Sequence, residues 1–447
     1  MPHKNRFMWK YYPELLERPV PRYTSYPTAA DFTDDVGSNE LEKALANVRL
    51  CDEISLYVHI PYCDQICWYC GCNTGRANRS HRLTTYMQAL FDEIDLVSAE
   101  LDHRGRVNRI AFGGGSPNAL DPVIFRSLLT RLQSAFHLDK AIYSIELDPR
   151  SHSAEWQDLL NDVKMQNVSL GVQSFDPKVQ AAIGRVQPLP MVTDMVAQLR
   201  CSGVQSLNFD LMYGLPGQTI DTLGETLEQA VALSPERIAL FGYAHIPTLI
   251  PRQRQIDDSN LPDARQRFDM AAFGYDFLTR TGYQPIGFDH FAQPDDPLGQ
   301  AGTNGTVRRN FQGFTDDQSD ILIGLGASAI SEFPSLIVQN AKNTGRYRAA
   351  LANGDLPAAL GIKRNDSHQV HGAIIGQILS NGEADLAALG GAAAFVGPLS
   401  PYINRGMVEI VGDRMKLRSS ARPYARSIAA IFDQFRGQTT GTFSQAV

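Results

Sequence analysis

From residue 54 onward the apolar positions fall into a repeating beat. ISLYVHI (Ile54–Ile60) is a short run of β-branched, aliphatic and aromatic residues, which predicts a strand. Leu83–Leu101 is long and helix-compatible, and Arg109–Phe112 predicts a second strand that runs into glycines. Within Asp121–Phe136, the residues Ile124, Leu128, Leu132 and Phe136 recur at every fourth position and share one helical face. Ile142–Leu147, Val168–Gln173, Ser206–Gly214 and Arg237–Ala244 predict further strands, with helical stretches between them. Strands alternating with helices predict βαβ units and a parallel sheet, and six such units exceed one small dinucleotide-binding half. The expected class is therefore α/β, as a complete or partial (β/α) barrel. Cys63, Gly113–Ser116, Glu146, Gln173, Asp210 and His245 fall where these strands end. In a barrel those ends share one mouth, where active sites are built.

The flanks lack this beat. Residues 1–50 contain Pro21–Thr28 (PRYTSYPT), whose prolines oppose a helix, and predict an extended arm packed on the surface. The rhythm fades near residue 335, and residues 365–447 combine Ala/Gly-rich stretches with a closing helix-like run, Ala425–Phe435. The expected division is an N-terminal arm (1–50), a barrel domain (51–335) and a smaller, mainly helical C-terminal domain (336–447). Pro294–Gly305 predicts either a lid or a plain connection.

Composition narrows the partners. The chain has 447 residues and a net charge of −7, which argues against a non-specific nucleic-acid binder. No apolar run is long enough to span a membrane, and MPHKNRFMWK lacks the apolar core of a secretory signal. These features predict a cytoplasmic protein. Four of the six cysteines, Cys63, Cys67, Cys70 and Cys72, fall within ten residues. In a reducing compartment that density points to metal or redox chemistry. Cys51 and Cys201 read as core residues.

Cys63-x3-Cys67-x2-Cys70 follows the first predicted strand directly. Thiolates select zinc or iron–sulfur clusters. A zinc site would need a fourth ligand, for which His59 and His81 are available. The C-x3-C-x2-C spacing is also that of radical S-adenosylmethionine (SAM) enzymes. There, three thiolates hold three irons of a 4Fe–4S cluster and the fourth iron is left for SAM. On that reading Tyr69 packs beside the adenine, and Cys72 is no ligand but either a spare thiol or a catalytic group.

Longer segments make the resemblance specific. PRYTSYPTA (Pro21–Ala29), YVHIPYCDQICWYCGCN (Tyr57–Asn73), FGGGSP (Phe112–Pro117), IELDPR (Ile145–Arg150), LGVQSF (Leu170–Phe175), FDLMYGLPGQT (Phe209–Thr219), GFDHFAQPDD (Gly287–Asp296) and RRNFQGFT (Arg308–Thr315) occur in family order. With them the chain resembles the oxygen-independent coproporphyrinogen III oxidases. The resemblance implies radical decarboxylation of two propionates of coproporphyrinogen III to vinyl groups, giving protoporphyrinogen IX. It implies one 4Fe–4S cluster on Cys63, Cys67 and Cys70, and two SAM molecules. The first would meet Tyr57, Tyr69, Gly114, Glu146 and Ile330. The second would meet Gly115, Ser116, Gln173, Arg185, Asp210 and Ala244. It further implies a low-potential electron donor of flavodoxin or ferredoxin type, an electron acceptor, and a monomer.

Coproporphyrinogen carries four carboxylates while this chain is acidic, so local cations must hold it. Arg22, Arg308 and Arg309 are candidates, and His290 is either a polar contact or a core residue. One departure stands out. Asn365–Leu386 lacks an Arg-Arg pair and a Cys-Asn-Phe segment common in the family, and its His368 and His371 read as an exposed pair. Two alternatives stay open: a radical SAM enzyme acting on another tetrapyrrole, and a haem-binding chaperone of the same superfamily. Against the chaperone, Cys72 stands where that branch has an aromatic residue, and Asn340–Tyr347 (NAKNTGRY) lacks its H-N-x-x-Y-W pattern.

Overall fold

The computed structural model describes residues 8–16, 18–77, 80–138 and 140–436. Six strands lie side by side in chain order and all parallel: β1 (Glu53–Ile60), β2 (Arg106–Gly114), β3 (Ile142–Leu147), β4 (Asn167–Gln173), β5 (Ser206–Tyr213) and β6 (Arg237–Gly242). β7 (Gln284–Ile286) and β8 (His290–Ala292) extend the β6 edge antiparallel. At the other edge β9 (Ile321–Leu325) joins β1 in parallel. It carries β10 (Ile330–Phe333), β11 (Leu336–Asn340) and β12 (Ala358–Lys363), all antiparallel. The twelve strands form one open sheet, a partial (β/α) barrel with helices in the crossovers.

Each crossover helix starts where the local chemistry allows it. Asp121 accepts from the Val123 N–H ahead of Pro122, which opens the helix Pro122–Ala135. Ser153 does the same for Ala154–Val163 through the Trp156 N–H. The strands then sort their side chains by face. On β4, Val168, Leu170 and Val172 are buried while Ser169 and Gly171 line the hollow. On β5, Leu207, Phe209 and Leu211 are buried and Asp210 lines the hollow. The apolar faces thus pack under the helices, and the concave face is polar.

A charged knot holds the open sheet in its curve. Asp316 accepts from Arg109 of β2 at 2.5 Å and from Arg237 of β6 at 3.4 Å. Asp317 accepts from Ser55 of β1, and Arg237 also pairs with the buried Asp296 at 2.8 Å. Burial alone would raise the Asp316 carboxyl, but Arg109 and Arg237 hold it below its ordinary value.

A second network fastens the helix Ser80–Leu101 to the antiparallel edge. The buried Glu93 carboxylate accepts from the Gly326 N–H (2.6 Å), the Asn340 amide (2.6 Å) and the Tyr347 hydroxyl (2.5 Å). Burial raises its proton affinity to about 7.

Several expectations are corrected. The arm is not a surface strap. Tyr23, Tyr26 and Thr28 are buried, the Tyr23 hydroxyl donates to Asp433 at 2.9 Å, and the Tyr26 hydroxyl accepts from the Gln434 N–H at 2.9 Å. The residues before 50 also contain a helix, Ser38–Ala46. The sheet crosses residue 335, because β11 and β12 pair with it. Pro294–Gly305 is neither lid nor plain loop: Asp296 caps a helix over Pro297–Asn304 that ends at Gly305 in the left-handed region. The helical C-terminal region also carries a three-stranded sheet, β13 (Glu383–Asp385), β14 (Val408–Val411) and β15 (Arg414–Leu417). Cys51 and Cys201 are exposed, since one lies in the turn before β1 and the other ends a helix. His371 is not free in solvent, because its Nδ1 meets the Phe432 carbonyl at 2.6 Å; His368 packs on the Phe435 ring. Residues 1–7 and 437–447, at the two ends of the arm and of the C-terminal region, lie outside the described residues. No helix among the described residues is long and apolar enough to cross a membrane.

Asp316→Ala removes the carboxylate shared by Arg109 and Arg237 while leaving Arg237 its pair with Asp296 and Arg109 its longer pair with Asp317, and is expected to cost about 1–3 kcal/mol in urea unfolding. Glu93 supplies a pH test. Folded, its carboxyl binds a proton more tightly than its ordinary value of 4.5 allows. The folded chain therefore keeps a proton that the unfolded chain releases, and stability falls as pH rises from 4.5 to about 7, then levels off. The difference in unfolding free energy between wild type and Glu93→Gln is expected to shrink across that window by roughly 3 kcal/mol; a flat difference would refute the assignment.

Candidate active site

The loop after β1 is anchored before it reaches the mouth of the hollow. The Trp68 N–H donates to the Ile183 carbonyl at 3.0 Å, and a Cβ on Gly184 would strike the Trp68 ring at 2.8 Å. The buried Gln253 amide donates to the carbonyls of Tyr69 and Ala244, each at 3.0 Å. Arg252 donates to the Thr74 hydroxyl at 2.9 Å. Held this way, Cys63, Cys67, Cys70 and Cys72 all face one cavity of about 200 Å³.

The opposite wall comes from the strand ends. A Cβ on Gly113 would meet the Glu146 carboxyl at 2.7 Å, and one on Gly115 would meet the Tyr62 carbonyl at 2.4 Å. Only glycine lets these backbones come so close. The Gly114 N–H donates to Glu146 at 3.2 Å, and the buried Ser116 hydroxyl donates to Asn118 at 3.0 Å. A register shift between β4 and β5 at Gly171/Gln173 leaves Gln173 in the left-handed region, at φ 64°, and puts it in the cavity wall.

Electrostatics centre on Cys67. Its sulfur receives Arg150 at 3.2 Å and Arg185 at 3.3 Å, and both guanidiniums also bind Asp148, at 2.6 and 3.2 Å. Burial works against the Asp148 charge, but Arg185 and Arg150 keep its carboxyl below the ordinary range. Glu146 keeps surface toward the cavity, yet the walls around it leave little water. That desolvation, and then the neighbouring Asp210, push it up to about 7. Burial also raises Asp210, although Asn208 and Ser169 donate to it at 2.8 and 3.0 Å.

The cavity thus brings together Cys63, Cys67, Cys70, Cys72, Tyr69, Gly114, Gly115, Ser116, Glu146, Gln173, Arg185 and Asp210. Other residues singled out in the sequence lie outside its lining. Tyr57 is buried on β1, with its hydroxyl 3.1 Å from His59 Nδ1 and its ring edge-on to Phe311. Ile330 is on β10, packed against Gly324, the β9 partner of Tyr57. Ala244 follows β6 in a neighbouring pocket, where Arg22 also lies. Arg309 donates to the Arg22 carbonyl at 3.2 Å, so these two are together. Arg308 points elsewhere, to Asp320 at 2.7 Å. His290 is tied to Asp289 at 2.7 Å. Neither histidine considered for zinc lines the cavity: His59 is engaged by Tyr57 and by Ser328 at 3.3 Å, and His81 is exposed.

Sequence reasoning missed Arg150 and Gln253. IELDPR had placed Arg150 in a family segment, but only the fold brings it to Cys67. Gln253 carries no motif signal.

The donor set suits an anionic cluster better than one ion. Three sulfurs ring a cavity with two guanidiniums on one of them, and among the described residues no three His, Cys, Asp or Glu side chains close on a single metal position. A cysteine loop at the head of a parallel partial barrel defines a radical SAM protein, and the Radical SAM superfamily model matches residues 57–230. The likeness extends well beyond that core. The oxygen-independent coproporphyrinogen III oxidase of Bradyrhizobium diazoefficiens is 38% identical over 93% of this chain and 95% of its own length. That of Pseudomonas aeruginosa is 37% identical over 93% of each. The solved coproporphyrinogen III oxidase of Escherichia coli, described as a radical SAM enzyme, superposes with a TM-score of 0.88 at 32% identity, covering 96% of this chain and all of its own. The chain belongs to the family of oxygen-independent coproporphyrinogen III oxidases.

Gln253→Ala removes the bond that ties the Tyr69 carbonyl of the cysteine loop to the Ala244 carbonyl after β6, and each carbonyl left unpaired costs about 1–3 kcal/mol. We expect less iron retained per chain after reconstitution and desalting, with the far-ultraviolet dichroism unchanged; full iron content would refute this anchoring role.

Proposed function

We infer that this protein is a radical SAM oxidoreductase that decarboxylates two propionate side chains of coproporphyrinogen III to vinyl groups, yielding protoporphyrinogen IX in haem biosynthesis. The observation that carries the inference is the cysteine-ringed cavity in a chain that matches these oxidases over nearly its whole length. A cluster held by Cys63, Cys67 and Cys70, with SAM bound beside it, would supply the 5′-deoxyadenosyl radical chemistry that removes hydrogen from the propionate β-carbon.

The chain's own residues bind and orient. Cys63, Cys67 and Cys70 are the cluster ligands in this reading. Arg150 and Arg185 both donate to the Cys67 sulfur and fix its position in the cavity wall. Tyr57, Tyr69, Gly114, Glu146 and Ile330 are assigned to a first SAM. Gly115, Ser116, Gln173, Arg185, Asp210 and Ala244 are assigned to a second. What supports a SAM site here is that most of these residues line one cavity; Tyr57 and Ile330 lie outside its lining, and Ala244 lines the neighbouring pocket. The glycines admit backbone contact, while Glu146 and Asp210 offer acceptors for ribose hydroxyls or an ammonium. Homolytic C–H cleavage needs no general base, so the protein's contribution is placement and exclusion of water. Cys72 faces the same cavity two residues beyond Cys70 and is assigned a catalytic role rather than a ligand role. Arg22 and Arg309 hold substrate, with His290 and Arg308 as outlying contacts. A low-potential flavodoxin- or ferredoxin-type donor, a separate electron acceptor, a monomeric state and a cytoplasmic setting follow family precedent.

The test is an anaerobic assay. Protein reconstituted with iron and sulfide, given SAM, a reductant and coproporphyrinogen III, is expected to form protoporphyrinogen IX with 5′-deoxyadenosine or methionine. Cys67→Ser should lower product at least a hundredfold, and Cys72→Ser should retain iron while losing product. SAM cleavage without porphyrin product would overturn the substrate, and haem binding without SAM cleavage would favour the chaperone.

A further inference from the structure

Beside the cysteine cavity lies a smaller pocket, of about 60 Å³, assembled from distant parts of the chain. Arg22 comes from the arm, Arg267 from the helix Ala264–Arg280, and Arg422 and Arg426 from the C-terminal region. Arg309 borders it through its 3.2 Å bond to the Arg22 carbonyl. The carboxylate lining the pocket is Asp289, paired with His290 at 2.7 Å, and its single charge also faces Arg22, Arg309 and Arg426. Among the described residues Arg22, Arg309 and Arg422 make no ion pair. Arg309 buries Nε and Nη1 without a hydrogen-bond partner, its guanidinium lying over the Phe288 and Phe314 rings at 4.9 and 4.4 Å. Burial lowers Arg267 and Arg422, and lowers Arg309 and Arg426 to about 10, with Arg22 adding to the effect on Arg426 and Arg309. Gathering five guanidiniums around one lining carboxylate, with Arg426 buried and Arg267, Arg309 and Arg422 half-buried, is costly unless an anion joins them.

The pocket also has the right neighbour. Gln253 binds the carbonyls of Ala244, on the pocket's wall, and Tyr69, on the cysteine loop, through one nitrogen at 3.0 Å each. Its volume admits a carboxylate arm and excludes a macrocycle. Guanidinium forks match carboxylate geometry.

We propose that Arg22, Arg267, Arg309, Arg422 and Arg426 form a carboxylate-binding pocket that seats one propionate arm of the porphyrinogen and so positions the macrocycle against the cysteine cavity. The proposal rests on the substrate reading above. Two nearby molecules bring a carboxylate, the porphyrinogen and SAM, and the test separates them.

The full chain, reconstituted anaerobically, is titrated with coproporphyrin III (the air-stable oxidised form), with its uncharged tetraamide, and with SAM. Wild type is expected to bind the tetraacid at least tenfold more tightly than the tetraamide. Arg426→Gln should weaken the tetraacid about tenfold, leave the tetraamide within twofold, and leave SAM affinity unchanged. Because Arg426 is buried, Arg22→Gln on the exposed side of the arm is the second variant, with the same selective loss at about threefold. Equal binding of tetraacid and tetraamide by wild type, or variants that weaken both alike, would overturn the proposal. A selective loss of SAM affinity would overturn it in favour of the SAM carboxylate. Failure of wild type to bind either porphyrin would instead overturn the substrate reading itself.

Discussion

One carboxylate shared by two arginines sets the shape of this molecule. A parallel sheet with an open edge has no covalent or hydrogen-bonded closure, so its curvature must be held from inside. Asp316 does this by accepting from Arg109 on β2 and Arg237 on β6, strands separated by three others. The same knot explains the polar concave face. Side chains there, from Ser55 to Asp210, find partners in one another rather than in a packed apolar core, and the strand ends above them stay free to form a site.

On that scaffold, close approach and charge divide the work. The glycines ending β2 bring the backbone against Glu146 and Tyr62 without side-chain bulk. Arg150 and Arg185 surround Cys67 with positive charge, while Asp148 fixes both guanidiniums in place. Carboxyls a few residues apart thus behave oppositely. Asp148 is held ionised by its arginines, and Glu146, facing a walled cavity with Asp210 beside it, holds its proton toward neutral pH.

What could be read from the chain follows from which interactions are local. Parallel strands covered by helices show as apolar runs, so β1 to β6 and the cysteine triad were legible. Glu146, Gln173 and Asp210 were legible too, because strand ends in such a fold share a mouth. Features built by distant partners were not. The arm looked like a surface strap because the acceptor and donor for its tyrosines lie about four hundred residues away, at Asp433 and Gln434. The strands β13 to β15 carry three or four residues each, too few for a period to emerge. Arg150 reaches Cys67 across 83 positions, and the five arginines of the second pocket come from separate segments.

The arm's contacts also order events as the chain is made. Tyr12, Tyr23 and Tyr26 pair with Tyr424, Asp433 and Gln434, at separations of 408 to 412 residues. A contact of that span cannot form until residues 424–434 have been made, whereas the strands from β1 to β6 meet neighbours already synthesised. The arm is therefore the last piece to settle, and the cysteine loop spends most of synthesis without it. The nascent chain thus passes through a stage in which the barrel strands are paired while the arm's tyrosines still lack the partners that bury them.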